Sequence, residues 1–580
     1  MILWMLVSGL DDLFISLMYL VPASKRFEWP TPRELKQAHQ RRIAVVVPCW
    51  REHRVIGEML DRNFSDVPYA NYDVFVGVYP NDQETLDVVS EVASRNPRIH
   101  VALCPHNGPT SKGDCLNWVY RRLEMIEIRD GVRFEVVVTH DAEDVMHPEE
   151  LPMINWFSAA YDMVQIPVLP MPTGLHQFTH GLYCDEFAEY QSKDIPVRQQ
   201  LGGFLPSNGV GTGFGRVALE RLAATREGRI FDPACLTEDY ENGFRLHALG
   251  CTQIFLPLHR RGKGLLATRE YFPKRWKPAV RQRTRWVTGI VLQGWQHHGW
   301  RVPWRQVYWF WRDRKGLVGN LFAPVANAGF AYGAVEYLVR GQVVDALQGA
   351  PPWMLRSLAV TMGISAVQAA IRMHCCAQVY GWAFAVGGPV RMFWGNLVNS
   401  AATVQAMGQF VSAKMKRRTL AWLKTDHDYP GVPAFDGKRM RVGELLVRMR
   451  CMSRADLEQA LTSLPAGMRI GEHLVQSGSV SEESLYYALS SQAGIPLGRP
   501  PVDEVHRAAT RALPADQARR WKVMPYRISV GELHVVTSDV PSETMTRELA
   551  GLSKLEIRFR LVRPSEFEAM AEEYLPSGRR

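Results

Sequence analysis

Three short clusters in this 580-residue sequence combine residue types that could do chemistry. The run Phe134–Thr139 reads as a buried strand, and it ends in His140-Asp141-Ala142-Glu143-Asp144. Carboxylates this close repel one another unless a cation sits among them, and their hard oxygens suit Mg²⁺ or Mn²⁺ bridging phosphate oxygens. A solvated loop after a strand is the plain alternative. Thr237-Glu238-Asp239 opens the helical pattern Tyr240–Leu249, where an N-cap with acidic first-turn residues would give the same spacing without any chemistry. Gln282-Arg283-Thr284-Arg285-Trp286 offers a guanidinium able to grip a diphosphate and an indole able to floor a sugar pocket. One face of an amphipathic membrane helix would read the same way.

Clusters so far apart need a scaffold that makes them converge. The run Ile43-Ala-Val-Val-Val-Pro48 has the β-branched character of a parallel strand buried on both faces, and Tyr72–Tyr79, His100–Cys104 and Met163–Pro167 read similarly. Helical patterns such as Arg54–Asn63 and Gln83–Arg95 separate most of them. The expectation is an α/β unit with a mainly parallel sheet, whose site lies at the carboxyl ends of the strands. The length calls for two or three such units.

Membrane segments are expected on both sides of this unit. Met1–Val21 is apolar except for Asp11 and Asp12, and has neither a basic start nor a small-residue cleavage site, so residues 1–21 read as a membrane anchor. From Lys274 to Lys315 Trp, Arg and Tyr predominate, as expected of a helix lying among lipid headgroups. Gly316–Val339 and Trp353–Met373 have spanning length. Val379–Phe410 is interrupted by Arg391, Asn396 and Asn399, and reads as an interfacial segment if the flanking units share one side of the membrane. The net charge is +9, with basic residues crowded beside apolar runs at Arg312, Arg314, Lys315 and Lys414–Arg418. That placement favours anionic membrane lipids as partners over a nucleic acid polymer. Nine scattered cysteines read as reduced thiols.

The ordered set Val47-Pro48-Cys-Trp-Arg-Glu52, Asp82, Lys112-Gly-Asp-Cys-Leu-Asn117, Asp141-Ala-Glu143-Asp144, Thr237-Glu238-Asp239 and Gln282-Arg-Thr-Arg285-Trp286 resembles the family-2 glycosyltransferases, which include cellulose, chitin and hyaluronan synthases. The resemblance implies a GT-A fold over residues 40–300, with Glu52, Asp82 and Lys112 on the nucleotide of a UDP-sugar donor. Asp141 with Glu143 or Asp144 would hold the diphosphate through Mg²⁺ or Mn²⁺; the usual D-x-D is spelled differently here, so the second carboxylate stays open. Asp239, beside Glu238, would be the general base, and Gln282, Arg285 and Trp286 would bind the diphosphate and the growing glycan acceptor. The glycine-rich Ser207–Gly215 lacks the Gly-Lys-Ser/Thr ending of a Walker loop and is expected to shape an acceptor-facing loop.

The tail contains a repeat. Arg441-Val-Gly443-Glu-Leu-Leu446-Val matches Arg469-Ile-Gly471-Glu-His-Leu474-Val, and the match continues downstream, so each copy reads as two short helices. Residues 436–576 resemble the cyclic di-GMP-binding N-terminal domain of type II secretion and pilus-assembly ATPases, with a small α+β part at the end. The resemblance implies cyclic di-GMP as an allosteric ligand of Arg441, Gly443 and Leu446 in the first copy and of Arg469, Gly471, Leu474, Gly478, Leu485, Leu489 and Gln492 in the second. The first copy departs from the pattern at Arg450 and Leu464.

The whole chain thus reads as an α/β GT-A unit, interfacial and transmembrane helices over 301–425, and the tail domain. The combination resembles an inner-membrane component of an envelope system used by a phage. It implies a multi-pass inner-membrane enzyme with cytosolic catalytic and tail units, an inverting polymerase that exports a surface exopolysaccharide with an outer-membrane partner. A catalytically idle envelope scaffold and a one-step transferase acting on a lipid carrier are the alternatives.

Overall fold

A computed structural model describes residues 1–21, 27–226, 228–262, 264–341, 349–415, 441–448, 451–465, 467–493, 495, 497–500, 505–529 and 531–574. Arg450 and Lys416–Arg418 lie outside them. The chain divides into two compact units, Met1–Tyr429 and Pro430–Arg580.

The main strands of the first unit are β1 (Ile43–Pro48), β2 (Tyr72–Val78), β3 (Ile99–Leu103), β4 (Val136–Thr139), β5 (Met163–Gln165), β6 (Val168–Pro170), β7 (Thr212–Gly215) and β8 (Gln253–Phe255). Seven form one sheet in the order β3-β2-β1-β4-β7-β5-β8. All neighbours run parallel except β7, which is antiparallel to both β4 and β5. Val45, Val46, Val47, Phe75 and Val138 are buried there, as their unbroken apolar runs require. The expected strand Met163–Pro167 ends in the sheet at Gln165, and β6, which follows it, pairs instead with Thr268–Glu270. That pairing, together with backbone hydrogen bonds between Val145 and Arg269, carries Glu270 alongside the acidic turn after β4.

Two long helices meet the length and apolarity needed to cross a membrane, Ile2–Leu20 and Pro352–Tyr380. The expected span Gly316–Val339 is a helix, Gly316–Arg340, but Asn320, Pro324, Asn327 and Glu336 leave it short of that apolarity. The expected pair of spans is corrected accordingly, and multi-pass insertion through Gly316–Val339 is not supported. Gly388–Met415 is one helix whose polar residues face protein: Arg391 pairs with Asp185 at 2.6 Å, Asn396 donates to Asn327 and Asn399 accepts from Arg283.

The two carboxylates of the first helix are also accounted for. Asp11 accepts from Tyr308 at 2.7 Å and pairs with Lys315 at 2.7 Å and with Arg312, while Asp12 pairs with Lys315 at 2.8 Å. The aromatic helix Trp304–Arg314 is only partly in an outward position. Trp304 is exposed, while Trp309 and Phe310 are buried against Ile15, Phe204, Tyr240 and Phe244, so one face of this helix packs on protein.

The second unit begins with four short helices, Val442–Arg448, Arg454–Thr462, Ile470–Gln476 and Glu482–Ala493. A three-stranded sheet follows, Val523–Ser529, Glu532–Thr537 and Glu556–Leu561, with helices Glu543–Ser553 and Pro564–Tyr574. All nine cysteines are unbonded, and eight are buried.

Candidate active site

A cavity of about 520 Å³ opens at the carboxyl ends of β1 and β4. Its wall brings together Glu52, Lys112, Asp141, Glu143, Asp239, Gln282, Arg285 and Trp286, residues from five separate stretches of sequence. Of the expected site residues in this unit, Asp82, Asp144 and Glu238 do not line it.

The placements follow from local structure. After β1 the chain turns sharply, and Arg51 takes φ 57°, a left-handed value that costs a non-glycine residue roughly 1–2 kcal/mol. Asp82 accepts the Arg51 backbone N–H, and Thr85 Oγ1 accepts that of Glu52 at 3.0 Å. Asp82 therefore holds the turn that presents Glu52. Lys112 starts the helix Lys112–Asp130, capped by Ser111, and its Nζ lies 2.6 Å from Asp141 Oδ1. Burial disfavours its charge, but Asp141, Glu238 and Asp239 raise its pKa above the ordinary lysine value.

The acidic turn separates into two roles. Asp141 and Glu143 face the cavity. Asp144 is fully buried; its Oδ2 accepts the Asp141 N–H at 2.9 Å and pairs with His140 Nδ1 at 2.8 Å. His140 Nε2 is 2.9 Å from Glu150 on its other side. Burial opposes charge on His140, yet Glu150 and Asp144 push its pKa up to about 10, so an imidazolium braces the turn from behind. Asp144 is thus taken up by the scaffold, which leaves Asp141 and Glu143 as the pair open to a cation. Among the described residues no three His, Cys, Asp or Glu side chains converge to hold an ion by themselves. Two hard carboxylates at a cavity wall fit a Mg²⁺ or Mn²⁺ whose remaining ligands are diphosphate oxygens and water.

Asp239 lies in the first turn of Glu238–Ala248, and its Oδ1 accepts the Tyr240 N–H at 2.8 Å. Burial raises its pKa, opposed by Lys112 and Arg285. Glu238 is buried beside it and pushed up to about 7 by burial and by Asp239. The glycine-rich segment is pressed against this carboxylate: Gly209 has φ +79°, and a Cβ there would sit 2.6 Å from Asp239 Oδ2. Also at the cavity, Gln282 Oε1 and Arg285 Nε are buried without a hydrogen-bond partner among the described residues. Such atoms are costly unless a ligand completes them.

The cavity continues past these residues to Glu186, Glu189, Asp194, Asp313 and Arg372, with Phe187, Tyr190, Tyr240 and Phe272 between them. Glu189 is bound by Lys193 and Arg372 at 2.5 Å each; burial resists its ionisation, but the two cations pull its pKa down to about 2. Asp313 receives Arg198 at 2.9 Å and the Tyr240 hydroxyl at 2.6 Å. Sequence reasoning missed this extension and Glu270. The available signals were charges inside otherwise apolar helices, Arg372 above all, and a glutamate on the strand paired with β6.

In the second unit, Leu446, Leu474 and Leu485 belong to the helical core. Gly443 and Gly471 allow close helix packing, since a Cβ would come within 2.5 Å and 2.9 Å of Leu457 and Leu485. Leu489 packs against this core, Gly478 has φ +71°, and Gln492 is half-buried on the last of the four helices. Arg441 is exposed, as is Arg469, which pairs with Asp539 at 3.6 Å.

Residues 39–289 match the family described as Glycosyltransferase like family 2, and residues 493–580 match the MshEN domain, beginning just after the repeats. Bacteriophage adsorption protein B of Escherichia coli K12 is 34% identical over 563 residues, covering 92% of this chain and 75% of that protein. Type IV pilus assembly ATPase PilB of Thermus thermophilus is 34% identical over 154 residues, 26% of this chain and 17% of that protein. Among solved structures, the mannosyltransferase PcManGT from Pyrobaculum calidifontis in complex with GDP-Man and Mn²⁺ aligns with TM-score 0.40 and 17% identity, covering 67% of this chain and 96% of that one. The structure of MshE with cdg aligns with TM-score 0.22 and 28% identity, covering 23% and 99%. With this much of one relative matched, the chain belongs to the bacteriophage adsorption protein B family and joins a family-2 glycosyltransferase region to an MshEN domain.

Proposed function

We propose that the protein is an inner-membrane, inverting glycosyltransferase that extends a surface exopolysaccharide from a UDP-sugar and is switched by cyclic di-GMP at its tail. The observation that supports this best is the cavity lined jointly by Glu52, Lys112, Asp141, Glu143, Asp239, Gln282, Arg285 and Trp286. Glu52 and Lys112 hold the nucleotide, with Asp82 acting through the turn it braces. Asp141 and Glu143 would hold a divalent cation, which would supply charge neutralisation for the diphosphate.

Asp239 accepts the proton of an acceptor hydroxyl as that oxygen bonds to the anomeric carbon, while the bond from that carbon to the diphosphate breaks and UDP departs with its electrons. One displacement inverts the anomeric configuration. Burial raises the pKa of Asp239, which makes its carboxylate a better proton acceptor than an ordinary aspartate. Arg285 and Gln282 meet the charge growing on the leaving group, and Trp286 supports the acceptor ring.

The aromatic and carboxylate-lined extension toward Arg372 is where a glycan would lie, with Pro352–Tyr380 and Ile2–Leu20 in the membrane. The relative's name links the protein to phage adsorption, and the proposal adds an outer-membrane partner that exports the product. Incorporation of labelled sugar by protein in nanodiscs tests the reading. High-molecular-weight product from one UDP-sugar supports polymerisation; a lipid-linked single sugar supports one-step transfer; no incorporation from any donor in folded protein contradicts the enzyme.

A further inference from the structure

The helix carrying Gln282, Arg285 and Trp286 does not run on regularly. Trp276–Trp286 widens into a π-helical stretch, Val287–Gln293, before closing as Gly294–His298. The Thr288 hydroxyl donates to the Thr284 carbonyl at 2.7 Å, a side-chain bond that competes with the helical ladder. An extra residue in the helix turns everything after it by about 100°, so side chains beyond Trp286 face a different neighbour than an unbroken α-helix would give them.

That neighbour is the segment carrying the base. Gln293, 7% exposed, accepts the Leu236 N–H through Oε1 at 2.9 Å and donates through Nε2 to the Ala234 carbonyl at 2.9 Å. Gly289 lies so close to Thr237 that a Cβ would stand 2.3 Å from its Oγ1. Beyond the π turn, His298 Nε2 pairs with Glu241 Oε2 at 2.7 Å, and Arg226 holds the other oxygen of that carboxylate at 3.2 Å. Residues 234–241, with Asp239 among them, are therefore fastened at three points to the helix of the diphosphate clamp.

We propose that Gln293 and Gly289 are positioning residues. The π-helical turn makes one body of the base at Asp239 and the clamp of Gln282, Arg285 and Trp286, so that attack on the sugar and departure of the diphosphate keep one geometry. The catalytic consequence rests on the function proposed above; the mechanical coupling does not. A buried glutamine that merely satisfies two backbone groups would stabilise the fold without selecting between kcat and KM.

The test uses the full chain in nanodiscs with Gln293→Met, which keeps most of the side-chain volume but makes neither hydrogen bond, and with Gly289→Ala as an independent variant. Amide exchange over residues 234–241 is read first, because it needs no sugar. Loss of the Gln293 bonds is expected to speed exchange there by about tenfold, with β1 protection unchanged. In UDP release, kcat is expected to fall by about 10–100-fold, the effect of a displacement near 1 Å, while donor KM stays within about threefold. Unchanged exchange over 234–241, or a loss of protection shared equally by β1, overturns the coupling whether or not any donor turns over. Altered exchange with unchanged kcat overturns the positioning role, and a silent wild type counts against the functional reading alone.

Discussion

Replacing Gly209 by alanine tests how tightly the base is placed. The new Cβ would stand 2.6 Å from Asp239 Oδ2, where ordinary contact begins near 3.4 Å, so the carboxylate or the loop must yield by about 0.8 Å. The residue must also keep φ +79°, which costs an alanine about 1 kcal/mol. Displacing a reacting group by this much lowers turnover by about 10–100-fold. The backbone cost alone lowers the melting temperature of the first unit by about 1 °C. Gly228 supplies the control, with φ +82° and open space within 4 Å of where a Cβ would stand. Gly228→Ala should show a similar thermal shift with wild-type turnover. UDP release and thermal unfolding on the two variants separate the effects, and Gly209→Ala protein with kcat within about twofold of wild type would refute the reasoning.

Asp239→Asn is expected to abolish turnover while keeping donor binding, whereas Asp141→Ala should weaken metal-dependent binding of UDP, measured by calorimetry with and without Mn²⁺; the reverse pattern would exchange their roles. In the first helix, Asp11→Asn should cost about 3 kcal/mol, because it leaves Lys315 and Arg312 beside a neutral partner in a buried pair. Asp12→Asn, at a more exposed position, should cost under about 1 kcal/mol, and equal melting temperatures in detergent would contradict that difference. His140 has its pKa raised from 6.5 to about 10, so its contribution to stability is complete below about pH 6.5 and is lost as pH rises through 10. The stability advantage of wild type over His140→Gln should therefore shrink by about 1.4 kcal/mol per pH unit across that window, and a constant difference would show that the imidazolium is not what braces the turn.

The strands β1, β2 and β4 were legible because each is an apolar run buried on both faces, and the acidic, Thr-Glu-Asp and Gln-Arg-Trp clusters were legible because their residue types are poor at plain packing. What sequence could not rank was which member of a cluster faces the cavity. Asp144 and Glu238 have the same chemistry as Asp141 and Asp239, and only the partners of His140 and the first turn of one helix separate them. The pairing of β6 outside the main sheet depended on a strand far along the chain. At Gly316–Val339 the apolar run hid the asparagines that bond across to Gly388–Met415, which lower the helix's apolarity. The spacing of the tail-repeat leucines also serves helix packing, and Leu446, Leu474 and Leu485 are core.

The account turns most directly on UDP release by purified full-length protein in nanodiscs, with Mg²⁺ or Mn²⁺, across a panel of UDP-sugars, with and without cyclic di-GMP. Release from one donor, raised by the dinucleotide, lost in Asp239→Asn and insensitive to the dinucleotide in Arg469→Ala, is the predicted result. Silence across the panel in folded protein, or undiminished release by Asp239→Asn, would contradict it.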